Sequence, residues 1–145
     1  MFTIPKDVKV FNHLNFPDPR GELNCIYETD TKLKIEGFST KISNSFQNVA
    51  RGIHWQNQSS PQTKAITLLK GSITDFLINL DKESKDFGKL FYFNLDAKSK
   101  KTIFIPSHYG HGFVAKEETI FLYYCFGKYS AKNELVINMV DLVTK

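Results

Sequence analysis

Cysteine is scarce in this chain. The two copies, Cys25 and Cys125, lie far apart and neither belongs to a Cys-x-x-Cys pair, so the usual sequence marks of a zinc site or a dithiol redox centre are missing. In a reducing compartment both read as free thiols within strands. Long apolar runs are missing as well. No stretch approaches the ~20 residues that a membrane-crossing helix needs, and Met1–Asp7 lacks the apolar segment of a secretion signal. The expectation is a cytoplasmic protein with no membrane partner. Charge of one sign is also absent: 19 Lys and Arg stand against 15 Asp and Glu, a net of +4. The lysines sit mostly in turns, as in Lys98-Ser99-Lys100-Lys101, which is too little and too scattered for a nucleic-acid footprint. A mild positive excess still helps to attract an anionic small molecule. No internal repeat and no low-complexity linker divides the chain, and residues 1–145 read as a single domain.

What the chain does have is aromatic side chains: thirteen Phe and six Tyr against one Trp, within a hydrophobic content of 41%. Phe and Tyr favour strands, and the apolar segments are short and separated by turn residues. Strands are expected at Val8–Phe11, Gly21–Glu28, Phe38–Ser45, Val49–Trp55, Lys64–Leu69, Ile73–Leu80, Gly88–Leu95, Lys101–Ile105, His111–Ala115 and Thr119–Cys125. Leu135–Val143 adds one more strand or a turn of helix. Phe16-Pro17-Asp18-Pro19-Arg20-Gly21 reads as a turn, because two prolines and a glycine leave little else. About ten short strands with almost no helix predict an all-β fold, a sandwich or a jelly-roll barrel.

Two strands carry more information than the rest. In Ile73–Leu80, Thr74, Phe76, Ile78 and Leu80 form one face, and Ile73, Asp75, Leu77 and Asn79 the other. Neither face is wholly polar, so both are expected to be covered, one by the core and one by a second subunit. Asp75, a carboxylate in an apolar run, should be paired. In Arg51-Gly52-Ile53-His54-Trp55-Gln56, alternation puts His54 and Gln56 on one face and Arg51, Ile53 and Trp55 on the other. An imidazole and an amide in so apolar a strand need polar company, either core neighbours or a bound polar ligand.

His54, Lys64, His111 and Tyr123 fall on four separate expected strands. Alternate residues of a small barrel point inward, so the four can line one cavity, with Asp75 orienting an imidazole. A metal fits poorly: the His-x-His pair of jelly-roll metal sites is His54-Trp55-Gln56 here, and Lys64 brings a competing cation. Acid–base chemistry fits better. His is a base near neutral pH, Tyr a usable acid, and Lys a donor to a developing oxyanion. These are the parts needed to invert a carbon beside a carbonyl, and no cofactor is required.

The order of short motifs resembles the dTDP-4-dehydrorhamnose 3,5-epimerase family, cupin-fold enzymes of bacterial deoxysugar synthesis. The motifs are Asp18-Pro19-Arg20-Gly21, Asn48-Val49-Ala50-Arg51-Gly52-Ile53-His54-Trp55-Gln56, Lys64, Gly71-Ser72-Ile73-Thr74-Asp75 and Ser84-Lys85-Asp86-Phe87-Gly88. Ile105-Pro106 with His111-Gly112-Phe113 and Phe121-Leu122-Tyr123 with Tyr129 and Glu134 complete the set. The resemblance implies a cupin-type jelly-roll barrel, a nucleotide-diphosphate sugar as substrate and a homodimer joined through its sheets. It implies His54 as the base, Tyr123 as the acid on the opposite face, Lys64 and His111 beside the 4-keto oxygen, and Asp75 in support of a histidine. Arg20 and Arg51 match arginines that hold the diphosphate, and Gln56, Tyr129 and Glu134 join the substrate contacts.

The chain also departs from that pattern. The family places an aspartate that pairs with the base histidine well past the position of Lys145, so either another carboxylate is expected to substitute at His54 or the base is expected to be weaker. Cys25 stands where the family has a ligand-contacting glutamate, and Ser39 and Lys41 where it has a Gln-x-Asn pair. His108 displaces the glycine after Ile-Pro and is expected near the active face. These departures leave open the nucleotide, the sugar and the number of inverted centres. They also leave open a 3,4-ketoisomerase of the same fold and a non-catalytic nucleotide-sugar-binding cupin.

Overall fold

The computed structural model describes residues 3–19, 21–25 and 38–139. They hold twelve strands: β1 Lys9–Asn12, β2 Leu14–Asp18, β3 Gly21–Cys25, β4 Phe38–Ser45, β5 Ala50–Gln56, β6 Thr63–Lys70, β7 Ser72–Asn79, β8 Leu90–Asp96, β9 Lys101–Ile105, β10 Tyr109–Ala115, β11 Thr119–Phe126 and β12 Glu134–Val136. Neighbouring strands pair antiparallel in two five-stranded sheets, β1-β9-β6-β11-β4 and β12-β5-β10-β7-β8, with β2 and β3 as a separate ribbon. The fold is the all-β cupin-type jelly roll that the sequence predicts.

The pattern of each strand explains its place. In β8 Phe91, Phe93 and Leu95 are buried while Tyr92, Asn94 and Asp96 face outward, the alternation of a strand covered on one side. In the central strand β10 nearly every residue is buried. Ile66, Leu68 and Phe121 of the first sheet interlock with Ile73, Leu77, Phe93 and Phe113 of the second to form the main core. Such burial stabilises by roughly 25 cal/mol per Å² of apolar surface removed from water.

The opposite face of β7 is covered too, as its composition requires. Ile53, Ile78 and Met139 are buried there, with Trp55, Phe76, Val114 and Ile137 packed against them. Part of this cover therefore comes from the chain's own segment after β12, where the sequence pointed to a second subunit. Backbone bonds tie it down: Ile53 N donates to Ile137 O at 2.6 Å, and Ile137 N to Ile53 O at 2.9 Å.

Three expectations need correction. Leu14–Asp18 is a strand, not the start of a turn, with Pro17 opposite Glu22. Both strands of a two-stranded ribbon are edge strands, the kind of strand in which proline is tolerated. The last strand is the short β12, and the remainder of the expected Leu135–Val143 element lies partly outside the described residues, as do the far end of Gly21–Glu28 and Arg20. Finally, Arg51 does not share a face with Ile53 and Trp55. His111 pairs with His54, whereas Phe113 pairs with Arg51, so β5 spends three steps where β10 spends two. This β-bulge reverses the alternation and turns Arg51 to the side of His54. Gly52 absorbs it at φ +99°, and a Cβ there would come within 2.7 Å of His111 O.

Ile66 is fully buried in the main core. Ile66→Ala is expected to cost about 2–5 kcal/mol, seen as a lower urea midpoint with an unchanged slope.

Candidate active site

A cavity of about 510 Å³ opens between the two sheets, lined by residues from β4, β5, β6, β10, β11 and β12. Its size suits a small-molecule site. His54, Lys64, His111 and Tyr123 all line it, as do Arg51, Gln56, Tyr129 and Glu134. His54 and His111 come from one sheet, Lys64 and Tyr123 from the other, so imidazoles and phenol approach from facing walls. Lys64 crosses the gap, its Nζ donating to His54 O at 3.2 Å.

His111 and Asp75 form the most deeply buried ion pair among the described residues. Nε2 of His111 lies 2.7 Å from Asp75 Oδ1, and the side chains are 4% and 0% exposed. Asp75 does not line the cavity. It stands behind His111 and fixes the ring, as expected of a carboxylate in an apolar strand. Phe121 stacks on His111 with centroids 6.1 Å apart, and Tyr123 meets it edge-on at 6.4 Å, so the ring has little room to turn.

Burial sets the protonation of the other groups. Desolvation pushes the Tyr123 phenol up to about 12, against the modest opposing effect of its hydrogen bond with Ser43 Oγ at 3.4 Å. Tyr123 is therefore a neutral proton donor at physiological pH. Desolvation likewise lowers the Lys64 ammonium, with Cys125 and Glu134 pulling the other way. His54 is held below the ordinary imidazole value of 6.5 by burial; Glu134 opposes this, and Lys64, His111 and Arg51 add to it. Neutral His54, the form able to accept a proton, thus persists to lower pH than for a free imidazole.

The remaining contacts are mixed in kind. Arg51 is tethered across the cavity mouth, with Nε donating to Ser45 Oγ at 2.9 Å and Nη2 to Asn44 O at 3.1 Å. Gln56 lines the cavity, yet its Oε1 already accepts from Ser60 Oγ at 3.0 Å and from Ser130 N at 3.1 Å, which makes it a brace for two loops. Tyr129 is 46% exposed at the rim and donates to Glu134 Oε2 at 2.8 Å. His108 is not at this site: its Nε2 meets Asp7 Oδ2 at 2.9 Å, against a different cavity. His108 belongs to the turn closed by Tyr109 N donating to Pro106 O at 3.1 Å, whereas His111 lies within β10.

Ser43 is a cavity residue that the sequence reading did not single out, and Lys41, marked there by its match to the family's Gln-x-Asn pair, also lines the cavity. Both lie on β4 at alternate positions, and the period of that strand was the available signal for Ser43. Lys41 Nζ sits 4.9 Å from the centroid of the Tyr129 ring, a cation–π contact at the rim.

Comparison with known proteins agrees with this geometry. The family model described as dTDP-4-dehydrorhamnose 3,5-epimerase matches residues 3–144. The dTDP-4-dehydrorhamnose 3,5-epimerase of Salmonella typhimurium is 32% identical over 134 residues, covering 88% of this chain and 73% of its own. That of Shigella flexneri is 31% identical over 134 residues, covering 88% and 74%. The crystal structure of the Sulfolobus tokodaii enzyme of that name superposes with a TM-score of 0.84 at 30% identity, over 95% of this chain and 81% of that one.

Asp75→Ala is expected to leave His111 buried without its acceptor, at a cost of roughly 1–3 kcal/mol. Asp75→Asn, which keeps an acceptor oxygen, should lose less. Denaturant midpoints of the two variants check the order.

Proposed function

The chain belongs to the dTDP-4-dehydrorhamnose 3,5-epimerase family, and from that premise we propose that its cavity inverts C3, C5 or both in a nucleotide-diphosphate-linked 4-keto-6-deoxy sugar. The observation that carries the reading is the meeting of His54 and Tyr123 from facing sheets in one cavity that also holds Lys64 and the Asp75-held His111.

The chemistry follows from the carbonyl. A keto group at C4 acidifies the hydrogens on both neighbouring carbons. His54 removes one of them, and the C–H electron pair passes into an enolate whose charge rests on O4. Lys64 faces that oxygen as a donor, and His111, whose Nε2 is held by Asp75, donates from Nδ1 in the form that carries a proton on both ring nitrogens. The desolvation that lowers Lys64 also strengthens its pull on a nearby anion, since charges interact more strongly where water is excluded. Tyr123 then delivers its proton to the opposite face of the carbon, and the centre is inverted. The protein supplies every proton donor and acceptor in this sequence, and no cofactor takes part.

Arg51, with Arg20 outside the described residues, takes the diphosphate, a bidentate task suited to guanidinium. Residues 1–145 act as one catalytic domain in a cytoplasmic homodimer. In support of self-association, the edge strand β4 and the residue after it expose apolar side chains, with Ile42 62% and Phe46 80% accessible.

The test is deuterium wash-in with a dTDP-linked 4-keto-6-deoxy sugar in D2O, following the C3 and C5 protons by NMR. Exchange at one carbon or both is expected, and exchange at neither ends the reading in favour of a binding protein. His54→Ala should slow exchange by about 10²–10⁴-fold, the usual contribution of a positioned base. Tyr123→Phe should retain some exchange, by removal and return on one face, but lose inversion. Normal inversion by Tyr123→Phe would refute its role. The acid limb of the wild-type rate should fall below pH 6.5, since His54 is held below that value and loses its lone pair only when protonated.

A further inference from the structure

Among the described residues, two side-chain atoms of the site are buried without a hydrogen-bond partner, Asp75 Oδ2 behind His111 and His54 Nδ1 at the cavity. His54 Nδ1 is shut off from solvent and makes no hydrogen bond among the described residues. Glu134 Oε1 faces it from 3.6 Å. That separation is too long for a hydrogen bond, but a small rotation of either side chain closes it, and catalytic contacts commonly tighten only when substrate is bound. The backbone aims the carboxylate. Within the β5–β12 pair, Glu134 stands opposite Gln56 and Val136 opposite His54, so Glu134 and His54 are diagonal neighbours on one face, within reach of a long side chain. Its other oxygen, Oε2, is anchored by Tyr129 at 2.8 Å, which leaves Oε1 free to turn toward the ring.

We propose that Glu134 is the positioning residue of His54: its carboxylate accepts the Nδ1 proton, fixes the tautomer that presents Nε2 to the sugar, and steadies the imidazolium formed on proton transfer. This goes beyond the ligand contact that family resemblance implies for Glu134, and it rests on the reading of His54 as the base. The need is electrostatic. The charged groups acting on His54 from around the cavity are Lys64 of β6, His111 of β10, Arg51 of β5 and Glu134 of β12. The first three oppose a proton on the ring, and among the described residues Glu134 alone favours it. A base that must carry a positive charge during each turnover, beside Lys64 and Arg51, needs that one counter-charge. Tyr129 is then a brace for the carboxylate.

The experiment is an NMR pH titration of the His54 ring in the full chain without substrate, its signal identified by loss in His54→Asn. Wild type, Glu134→Gln and Glu134→Asp are compared. Glu134→Gln is expected to lower the His54 midpoint, and Glu134→Asp to restore part of the difference. In the exchange assay Glu134→Gln should lower kcat by about tenfold or more, short of the ~10⁴-fold seen when a fully buried triad carboxylate is neutralised, with KM changed less. An unchanged His54 midpoint in Glu134→Gln would overturn the pairing, as would a rise in KM alone at unchanged kcat. The titration needs no substrate, so it decides the pairing even if wild type exchanges no sugar proton. That second result would count against the epimerase reading alone.

Discussion

The site depends on one local constraint, the extra residue that β5 holds against β10. Without it, strict alternation would put Arg51 and His54 on opposite faces of the second sheet, and the anion-holding and proton-accepting groups would never share a space. The bulge solves this at Gly52. Its φ of +99° is a conformation open to glycine at little cost, and His111 O and Gly112 Cα lie so close that any Cβ would collide. The same irregularity brings Arg51 and His54 into line with the inward residues of β10, His111 and Phe113. A strand that would otherwise be a plain core element is thereby made to serve a cavity on one side and the Ile53–Ile78–Met139 cluster on the other.

Around this point the molecule divides its polar groups into two kinds. Asp75 and His111 are sealed in the interior and hold each other, so their geometry does not depend on ligand. Tyr129, Lys41 and Arg51 stand exposed at the mouth, with Glu134 partly exposed beside them, and the charged groups act with a strength that depends on how far bound substrate excludes water. His54, Lys64 and Tyr123 lie between these extremes, where desolvation shifts their protonation while solvent-borne protons still have access. A rigid inner wall and an adaptable rim suit a reaction that must hold a ring carbon against a base while accepting a large nucleotide outside it.

Much of this was legible in the sequence. Phe- and Tyr-rich segments of five to eight residues between turn signals specify an all-β fold, and the alternation in Phe91-Tyr92-Phe93-Asn94-Leu95 fixes which side chains enter the core. Asp75 within Ile73–Asn79 announced a buried pair, because an ionised carboxylate does not stay in an apolar strand without one. Motif order pointed to the family and to His54, Lys64, His111 and Tyr123. The strand at Leu14–Asp18 was not legible, since Pro17 carries the same signal in a turn as on an exposed ribbon. Nor was the covering of the second sheet by Ile137 and Met139, which no periodicity in β12 foretells.

The sequence by itself determined the strands outside the Leu14–Asp18 ribbon and which residue types are available for chemistry, because side-chain period and turn preference are properties of neighbours along the chain. Only the tertiary structure decided which of those residues meet. That His108 pairs with Asp7 away from the cavity, that Gln56 is occupied by loop contacts, and that Glu134 faces Nδ1 of His54 all follow from strand register and from one bulge. These arise when distant segments compete to bury apolar surface and pair their backbones, and no local pattern records the outcome.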